Sequence, residues 1–503
     1  AHQLFRQSLR DFISKEVTPN AAAWEKAREI PKSVWLRMGE LGYLGVPFSE
    51  SQGGLGLDFF HSVIFLEEIA RSTMGGFTAA VSVHAYMATA HIAKTGSAEL
   101  KQKYLSPSIS GEKWGALGIS EPFAGSDVAA IRTTAKREGG HYIINGSKTF
   151  ITNGVCGDFV TLACKTKDAG TSGISLIVVD QGTAGFSATK LDKMGWHSSD
   201  TGELSFDNVR VPVSNLVGEE NHGFYYIMDS FQLERLVAAI MAVSGAQHAL
   251  DMTLQYINER EVFGRKVNRF QVIRHRLADL ATEIQAARQF VYHTCWLYDK
   301  GEFAVKDCTM AKLLTSELGK KAADICLQCF GGYGFMEDYP IARMYRDARA
   351  GTIVGGTSEI MREIIAKMMF DEAKYDTAYT SSNNDEDGLN ETVTARDIIL
   401  SLPTRFKLQR AEKTPEKAPE GNFHFKINGA RGGDFTIRMS KVGCEVNEGI
   451  IGESLCTVQV NAEDYEALET GRTDPQVAFM QGLLKVSNLE EMMKFMPMFK
   501  RIN

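Results

Sequence analysis

The first part of the chain repeats apolar residues at helical spacing. Phe5, Leu9 and Phe12 fall on one face of a predicted helix. More helical patterns follow at residues 61–71 and 79–94. We therefore assign residues 1–113 to an N-terminal helical domain.

Near Trp114 the pattern changes to the alternation typical of strands. Residues 141–154 are rich in β-branched and aromatic residues and end in Asn153-Gly154, which is a hairpin signal. Apolar runs of strand length follow, and residues 114–217 are expected to form a compact β domain.

The helical period returns from His222, and residues 218–372 are expected to form a second helical domain. Its clearest pattern covers residues 272–299. Gly331-Gly332-Tyr333-Gly334 are expected to end one helix and turn the chain, since glycine readily adopts the backbone conformation that closes a helix.

The composition changes again after residue 372. Residues 376–392 are polar and acidic with almost no large apolar groups, so residues 373–392 are predicted to be a flexible linker. Beyond a short helical pattern, apolar and polar residues alternate as in half-buried strands. Their apolar positions are Phe423, Phe425, Ile427, Phe435, Ile437, Met439, Val458 and Val460. Residues 393–503 are thus predicted to be a separate α+β domain with a Met-rich helical end.

Size and charge narrow the class of protein. With 503 residues, and at roughly 150 residues per domain, about three structural units are expected. Lys and Arg number 55 against 62 Asp and Glu, which gives no reason to expect nucleic acid or an acidic membrane as partner. No run of 18 apolar residues is present, so no transmembrane segment is predicted.

Eight cysteines are scattered along the chain, and Cys326 and Cys329 form its one Cys-x-x-Cys pair. The pair lies in an apolar helical stretch without a second pair at metal spacing, so buried free thiols are favoured over a metal or redox site. No metal is predicted, and an intracellular, reducing location fits. The chain begins inside an amphipathic segment, so an upstream leader would be invisible. Its last three residues are not a peroxisomal Ser-Lys-Leu signal.

Seven motifs in the first three quarters of the chain are weak individually and specific in combination. Alone, residues 119–133 indicate a polar turn, and Phe150-Ile151-Thr152 indicates an ordinary strand. In chain order the motifs are EPFAGSD, NGSKTFITNG, DKMGWHSSDTGELSFDNVRVP, LERLVAA, EREVFGRKVNRFQ, CFGGYGF and YRDARAGTIVGGTSEI. This series resembles the acyl-CoA dehydrogenase family. The resemblance implies an N-terminal α-helical domain, a middle β domain and a C-terminal four-helix bundle, in agreement with the periodicity.

The resemblance also implies FAD as cofactor and an acyl-CoA as substrate. Ser120 and Thr152 match positions whose hydroxyls bond the flavin ring, and Phe150 matches the aromatic wall behind it. Ser126 and Arg235 match substrate-binding positions. Contacts to the FAD of a neighbouring subunit are matched by Arg260, Phe263, Gln271, Gln328, Gly331 and Gly332. Thr357 and Glu359 match the far end of the flavin site. A site shared in this way implies a homodimer or homotetramer.

One departure from the family pattern concerns the catalytic base. Many members carry it as Glu in a Tyr-Glu-Gly-Thr motif, where this chain has Val354-Gly355-Gly356-Thr357. Long-chain and isovaleryl-type members keep the base on a bundle helix instead, and Glu234 matches that position. Gly355 would still offer the backbone N–H that the family uses, with a flavin ribityl hydroxyl, to stabilise the enolate oxygen.

Physical chemistry is compatible with this relocation. The α-proton of a thioester is weakly acidic, so its removal needs a carboxylate within about 3 Å and a stabilised enolate. Burial under an acyl chain would raise the pKa of Glu234 towards neutrality. The alternative is that Glu234 is a surface carboxylate paired with Arg235. Glu359 and Glu363 are rival bases, ranked lower because Glu359 occupies an FAD-binding position.

The C-terminal region resembles the sterol carrier protein (SCP-like) lipid-transfer family. FHFKING and YEALETGRTDPQVAFMQGLLKVSNLEEMMKF carry the resemblance, with residues 475–482 the most telling part. That family encloses an apolar tunnel for fatty acyl or sterol ligands. The apolar residues that would line it are equally consistent with an ordinary core. They are Phe479, Met480, Leu483, Leu484, Met492, Met493 and Met496.

Three functions remain open at this point. The first is an FAD-dependent dehydrogenase of long-chain or branched acyl-CoA that passes electrons to electron-transfer flavoprotein. The second is an acyl-CoA oxidase, and the third is a non-catalytic acyl-CoA or lipid-binding protein on the same fold. The expected location is the cytoplasm in a bacterium, and the mitochondrial matrix or peroxisome in a eukaryote.

Overall fold

The computed structural model describes most of the chain, which divides into two compact units, Ala1–Lys367 and Met368–Asn503. The described residues are 1–302, 304–382, 394–406, 419–440, 443–470, 472–473, 478 and 483–499, with the backbone alone at 371–382, 489–490, 493 and 497. Among them, no helix is long and apolar enough to span a membrane.

The first unit begins with the predicted helical domain. Its helices are α1 His2–Phe12, α2 Ala21–Ala27, α3 Lys32–Glu40, α4 Phe59–Ile69, α5 Gly75–Val83, α6 Thr89–Thr95, α7 Ala98–Leu100 and α8 Ser106–Ile109. A π-helical turn, His84–Ala88, joins α5 to α6. Leu9 and Phe12 on α1 are buried, as their spacing predicts. Asp58 caps α4 by accepting the backbone N–H of His61.

The middle of this unit is a twisted, mostly antiparallel sheet. Its strands are β1 Gly115–Gly118, β2 Thr134–Glu138, β3 His141–Thr152, β4 Phe159–Lys165, β5 Ile174–Asp180, β6 Phe186–Lys190, β7 Thr201–Pro212 and β8 Leu216–Val217. The strand order is β6-β7-β3-β2-β4-β5-β8, and β1 lies parallel to β4. Strands β4 and β5 are buried on both faces, which explains their continuous apolar sequences.

The predicted hairpin at Asn153-Gly154 is wrong. β3 pairs with β2 and β7 and does not turn back on itself at this point. Asn153 is buried, and its side-chain amide donates to the carbonyl oxygens of Ala80 and Gly115. The asparagine therefore joins the sheet to α5 and β1, and its left-handed backbone turns the chain without pairing two strands.

More helices follow the sheet. They are α9 Gly223–Glu259, α10 Gln271–Asp299, α11 Val305–Phe330, α12 Pro340–Ala348 and α13 Ser358–Ser382. The last of them begins in the first unit and extends past its boundary at Lys367. A short hairpin, β9 Glu261–Val262 and β10 Arg265–Lys266, joins α9 to α10. As predicted, the glycines end this helix: α11 stops at Phe330, and Gly331 follows it with a φ of +59°, which suits glycine.

The described backbone differs from the predicted start of the linker. α13 continues to Ser382, whereas the linker was expected to begin at residue 373. Residues in that stretch include good helix formers such as Ala373, Lys374 and Ala378, which favour continuation of an existing helix. The remaining predicted linker, residues 383–392, lies outside the described residues.

The second unit contains the predicted α+β domain. Its elements are α14 Ala395–Leu400, α15 Leu402–Arg405, β11 Gly421–Asn428, β12 Gly433–Ser440, β13 Gly443–Glu448, β14 Cys456–Asn461, α16 Ala462–Glu469, β15 Leu484–Val486 and α17 Leu489–Phe495. The strand order is β13-β12-β11-β14-β15, with β11 and β14 parallel. The alternating apolar positions of β11, β12 and β14 are all buried in one core.

The Met-rich end of this domain is mixed in character. Leu484 and Met492 belong to the core, whereas Leu483 and Met496 are exposed. Phe479, Met480 and most of residues 475–482 lie outside the described residues, as does the side chain of Met493. All eight cysteines lie in the described part and are free thiols, with Cys326 buried and Cys329 half-buried.

Candidate active site

Glu234 is held by a helix that is anchored in the core. It lies on α9, which has 37 residues. Leu236, Val237 and Ile240 on this helix are fully buried, and each such burial contributes roughly 1.5–3 kcal/mol. The Glu234 side chain is itself buried, with 8% of its surface exposed. A rigid, packed helix therefore fixes the position of this carboxyl group.

The environment of Glu234 suits proton transfer near neutral pH. Burial raises the pKa of Glu234 to about 7 and outweighs a Ser230 hydrogen bond and the Arg235 charge, which both lower it. The Ser230 hydroxyl donates to Glu234 Oε1 over 2.6 Å. A carboxylate with a pKa near the working pH is an effective general base.

The two rival carboxylates lie in different environments. Glu359, in the first turn of α13, and Glu363 are both exposed. Hydrogen bonds from its own backbone N–H and from the Thr357 hydroxyl lower the pKa of Glu359. Thr357 also caps α13, where its hydroxyl accepts the N–H of Ile360. Neither carboxylate is desolvated in the way that a weakly acidic carbon substrate requires.

The loop that lacks a carboxylate has open space in front of it. Gly355 has a φ of +63°, and a Cβ added there would meet no atom within 4 Å. By contrast, a Cβ on Gly356 would come within 2.5 Å of the Met361 side chain. Position 355 is thus the point in this loop where a longer side chain, or a ligand, fits.

A residue that the sequence reasoning missed connects this loop to the bundle. Lys312 on α11 is almost fully buried, and its Nζ donates to the Gly356 carbonyl oxygen over 2.5 Å. Burial and the nearby Arg235 charge together lower the pKa of Lys312 to about 8. One turn earlier, Thr309 Oγ1 accepts a 3.1 Å hydrogen bond from Arg235. A single face of α11 therefore holds both the helix of Glu234 and the loop of Gly355. Arg235 Nε has no partner among the described residues.

The predicted flavin-ring residues lie together on the β domain. The backbone N–H of Thr149 donates to the Ser120 carbonyl oxygen over 2.9 Å, beside Phe150 and the half-buried Thr152. The β3–β7 register shifts between Lys148 and Ile151, and Phe150 has a φ of +62° with 72% of its side chain exposed. Such a bulge directs an aromatic ring outward at the cost of backbone strain, which is typical of functional sites.

A buried ion pair between Lys148 and Glu121 holds the backbone on either side of Ser120. Lys148 Nζ donates to Glu121 Oε1 over 2.8 Å and to the Ile119 carbonyl oxygen over 3.0 Å. The other Glu121 contacts are the N–H groups of Arg132 at 2.6 Å and Thr133 at 3.0 Å. Burial alone would raise the pKa of Glu121, but Lys148 and these donors lower it. Burial lowers the pKa of Lys148, and the Glu121 carboxylate opposes this shift through its charge and its hydrogen bond.

Four of the predicted FAD contacts line one cavity at the end of the bundle. Arg260, Gln328, Gly331 and Gly332 share a cavity of about 390 Å³. The Arg260 guanidinium lies 5.4 Å from the centre of the Tyr333 ring, which also lines it. A Cβ added to Gly331 or Gly332 would meet nothing within 4 Å, so the space facing these glycines is open.

Three predicted residues stay apart from these groups within the single chain. Phe263, at the tip of the β9–β10 hairpin, is 94% exposed with a φ of +51°. Gln271, which begins α10, and Ser126, in the loop after Ser120, are also exposed. The described contacts assign them no site of their own.

One group of possible metal ligands was not predicted. His2, Asp58 and His61 bring their ligand atoms within 4.8 Å of one another. Asp58 is accounted for by hydrogen bonds, since it accepts from His2 Nε2 over 3.0 Å and caps α4. We assign no metal to this group.

Comparisons with known proteins identify the family. Residues 1–112, 116–209 and 221–370 match the N-terminal, middle and C-terminal domains of acyl-CoA dehydrogenases. The long-chain specific acyl-CoA dehydrogenase, mitochondrial, of Mus musculus is 40% identical over 376 residues, 74% of this chain and 87% of that protein. The isovaleryl-CoA dehydrogenase, mitochondrial, of Oryza sativa subsp. japonica is 39% identical over 372 residues, 73% of this chain and 91% of that protein.

A solved structure agrees. The acyl-CoA dehydrogenase of Geobacillus kaustophilus superposes with a TM-score of 0.70 at 43% identity, covering 73% of this chain and 97% of that one. The fold and site thus define an oxidoreductase. The chain belongs to the acyl-CoA dehydrogenase family, and residues 406–500 match the SCP-2 sterol transfer family. The predicted family and fold class are confirmed.

Proposed function

We propose that the chain uses FAD to oxidise the α,β bond of a long-chain or branched acyl-CoA to the trans-2-enoyl-CoA, with Glu234 as base. The observation that carries this proposal is the placement of the carboxylate. Glu234 is buried with a pKa of about 7, while Gly355 leaves the usual position of the base open.

The residues present fit an FAD. Phe150 offers an exposed aromatic face for the flavin ring, beside the hydroxyls of Ser120 and Thr152. The Arg260 guanidinium and the open backbone of Gly331 and Gly332 form a donor set suited to the pyrophosphate of a neighbouring subunit's FAD. FAD, when bound, accepts the hydride from the substrate β-carbon.

The protein supplies the proton chemistry. Glu234 takes the α-proton, and its low exposure keeps water from competing for the carboxylate. The backbone N–H of Gly355 is the proposed donor to the thioester oxygen, where negative charge develops. Lys312 holds this loop by its hydrogen bond to the Gly356 carbonyl oxygen, so the backbone N–H of Gly355 is oriented before the substrate arrives. Arg235 and Ser126 are the proposed substrate contacts.

We infer that the active form is a homodimer or homotetramer. Phe263 projects almost fully exposed from a hairpin with a left-handed backbone, which is unfavourable for an isolated chain. With Gln271 it would complete the FAD site of a neighbouring subunit. The proposed location is intracellular, in the cytoplasm, mitochondrial matrix or peroxisome, which suits eight free thiols.

Anaerobic mixing of the FAD-loaded protein with acyl-CoA is expected to bleach the flavin absorbance. Stopped-flow spectra over a series of straight and branched chain lengths measure this, and we expect long or branched chains to react fastest. A protein that stays colourless after incubation with FAD would contradict the proposal and favour the non-catalytic lipid-binding alternative.

The electron acceptor is tested on the same sample. We propose electron-transfer flavoprotein, so the reduced flavin should be reoxidised rapidly by that protein and slowly by air. Rapid reoxidation by air with stoichiometric hydrogen peroxide would instead indicate the acyl-CoA oxidase alternative.

We further propose that the C-terminal domain binds acyl chains and supplies them to the enzyme. Covalent attachment keeps a captured, poorly soluble ligand at high local concentration. A shortened chain ending at Ser382 should therefore show a higher KM for long acyl-CoA and an unchanged KM for short ones. The chemical step should be unaffected, since every proposed catalytic residue precedes residue 368.

The matched experiment is a lipid-binding assay on residues 391–503 alone, which contain their own hydrophobic core. Equal kinetics on all chain lengths and no lipid binding by the fragment would leave this domain a structural role. Loss of activity on short chains in the shortened protein would contradict the independence of the two units.

A further inference from the structure

Three side chains in line connect the proposed base to the N-terminal helical domain. Ser230 and Glu234 are one turn apart on α9 and therefore share a face. The Ser230 hydroxyl donates to Glu234 Oε1 over 2.6 Å, the length of a charge-assisted O–H···O⁻ bond. On its other side, Ser230 Oγ lies 3.5 Å from Nε2 of His91, a buried residue of α6.

The number of protons on each side chain shows which group donates to which: His91 donates to Ser230, and Ser230 donates to Glu234. A serine hydroxyl has one proton, and Ser230 uses it for Glu234. The lone pairs of Ser230 Oγ can then accept from His91 Nε2, which requires the tautomer with hydrogen on Nε2. Burial lowers the pKa of His91 to about 4, so the ring is neutral and has one proton to place.

We propose that Ser230 is a positioning residue for the base, and that His91 keeps the Ser230 hydroxyl turned towards Glu234. This rests on the proposed function, because it concerns the same carboxylate. A hydroxyl suits the task because it can bond both the carboxylate before proton transfer and the carboxylic acid after it. It favours the carboxylate, since hydrogen bonds to an ionised acceptor are stronger.

The other charged groups near His91, Ser230 and Glu234 have different hydrogen-bond or ion-pair partners, so they do not duplicate the role of Ser230. Arg235, on the same helix, is directed to Thr309 on α11 and acts on Glu234 through its charge. Lys94 on α6 pairs with Asp229 on α9, next to His91 and Ser230, and their opposite effects on His91 partly offset each other. Within the described contacts, Ser230 is the hydrogen-bond donor to the Glu234 side chain.

The test is the pH dependence of flavin reduction in full-length, FAD-loaded variants. Ser230→Ala removes the hydrogen-bond donor that favours the ionised Glu234 carboxylate. The midpoint of the rise in rate with pH, which lies near pH 7, should therefore move up by about one pH unit. One unit below that midpoint the rate should fall about tenfold relative to the unaltered protein. At pH 9 the two rates should agree within about threefold.

Rescue and control variants separate this role from a structural one. Ser230→Thr keeps the hydroxyl and should restore the original profile. His91→Leu should shift the midpoint in the same direction by less, and His91→Gln, which keeps an N–H donor, should restore it. Ser244→Ala removes a different serine from α9, one that is buried where Ser230 is half-buried, and should leave the profile unchanged.

A second measurement does not depend on turnover. The carbonyl stretch of the protonated Glu234 is obtained as the infrared difference between the unaltered protein and Glu234→Gln at each pH. Its midpoint should rise when the same difference is taken in the Ser230→Ala background. Unmoved midpoints in both experiments, or an equal shift from Ser244→Ala, would overturn the role of Ser230. Full flavin reduction by Glu234→Gln would instead refute the proposed base.

Discussion

Replacing Glu234 with Gln is expected to slow reduction of the bound flavin by acyl-CoA by at least about 10²- to 10⁴-fold. The amide keeps the size of the side chain and cannot accept the α-proton. Glu359 and Glu363 are exposed, so neither is placed to substitute. Single-turnover stopped-flow absorbance measures the loss, and the amount of bound FAD, read from the same spectra, should be unchanged.

The proposed base also predicts the direction in which the rate of flavin reduction changes with pH. The base acts when deprotonated and has a pKa of about 7, so the rate should rise with pH below that value and level off above it. The residual rate of Glu234→Gln should lack this limb. A variant that reduces flavin at the original rate, with the same limb, would show that another group is the base.

A second carboxylate at Gly355 should return part of the lost rate. The space there is open, so Gly355→Glu in the Glu234→Gln background is sterically allowed. Its φ of +63° costs a glutamate about 1–2 kcal/mol, which limits the recovery. Gly355→Gln in the same background is the matched control and should recover nothing.

Replacing Lys148 with Met is expected to destabilise the first unit by about 3–5 kcal/mol, because it leaves the Glu121 carboxylate buried without its cation. The same change frees the Ile119 carbonyl next to Ser120, so bound FAD should fall as well. All five tryptophans precede residue 300, and their fluorescence during denaturant unfolding therefore reports on this unit.

An exposed pair supplies the control. Lys321 lies 2.6 Å from Glu283 with about half of each side chain exposed, so Lys321→Met should cost less than about 1 kcal/mol. Adding Glu121→Gln to Lys148→Met should recover stability, since it removes the uncompensated charge while keeping an acceptor for Arg132 and Thr133. Equal effects of Lys148→Met and Lys321→Met would contradict the structural importance of the buried pair.

Periodicity predicted the architecture where the buried face decides the structure. Leu9 and Phe12 of α1 and the alternating apolar positions of β11, β12 and β14 are buried as their spacing indicates, and Phe5 is half-buried. Local signals were less dependable. Asn153-Gly154 is a common hairpin pair, but the sequence could not reveal that the Asn153 amide is needed to satisfy two distant carbonyl oxygens.

The candidate site depended more on resemblance than on pattern. Glu234 and Gly355 are 121 positions apart in the sequence, and spacing does not indicate that α11 holds both of their elements. Lys312 was missed because burial of a lysine cannot be read from its helix pattern. The pairing of Ser230 with Glu234 was readable, since a serine one turn before a glutamate faces it on a helix. The 3.5 Å contact with His91 arises only when two domains pack.

The burial of Glu234 has a thermodynamic consequence for the whole protein. The group ionises near 4.5 when the chain is unfolded and near 7 when it is folded, so between these values the folded state holds the extra proton. Its contribution to stability is therefore lost as the pH rises through this range. Above pH 7 the charged carboxylate weakens the folded state by about 3 kcal/mol relative to acidic solution. The conditions that make this residue reactive are the ones in which it opposes folding.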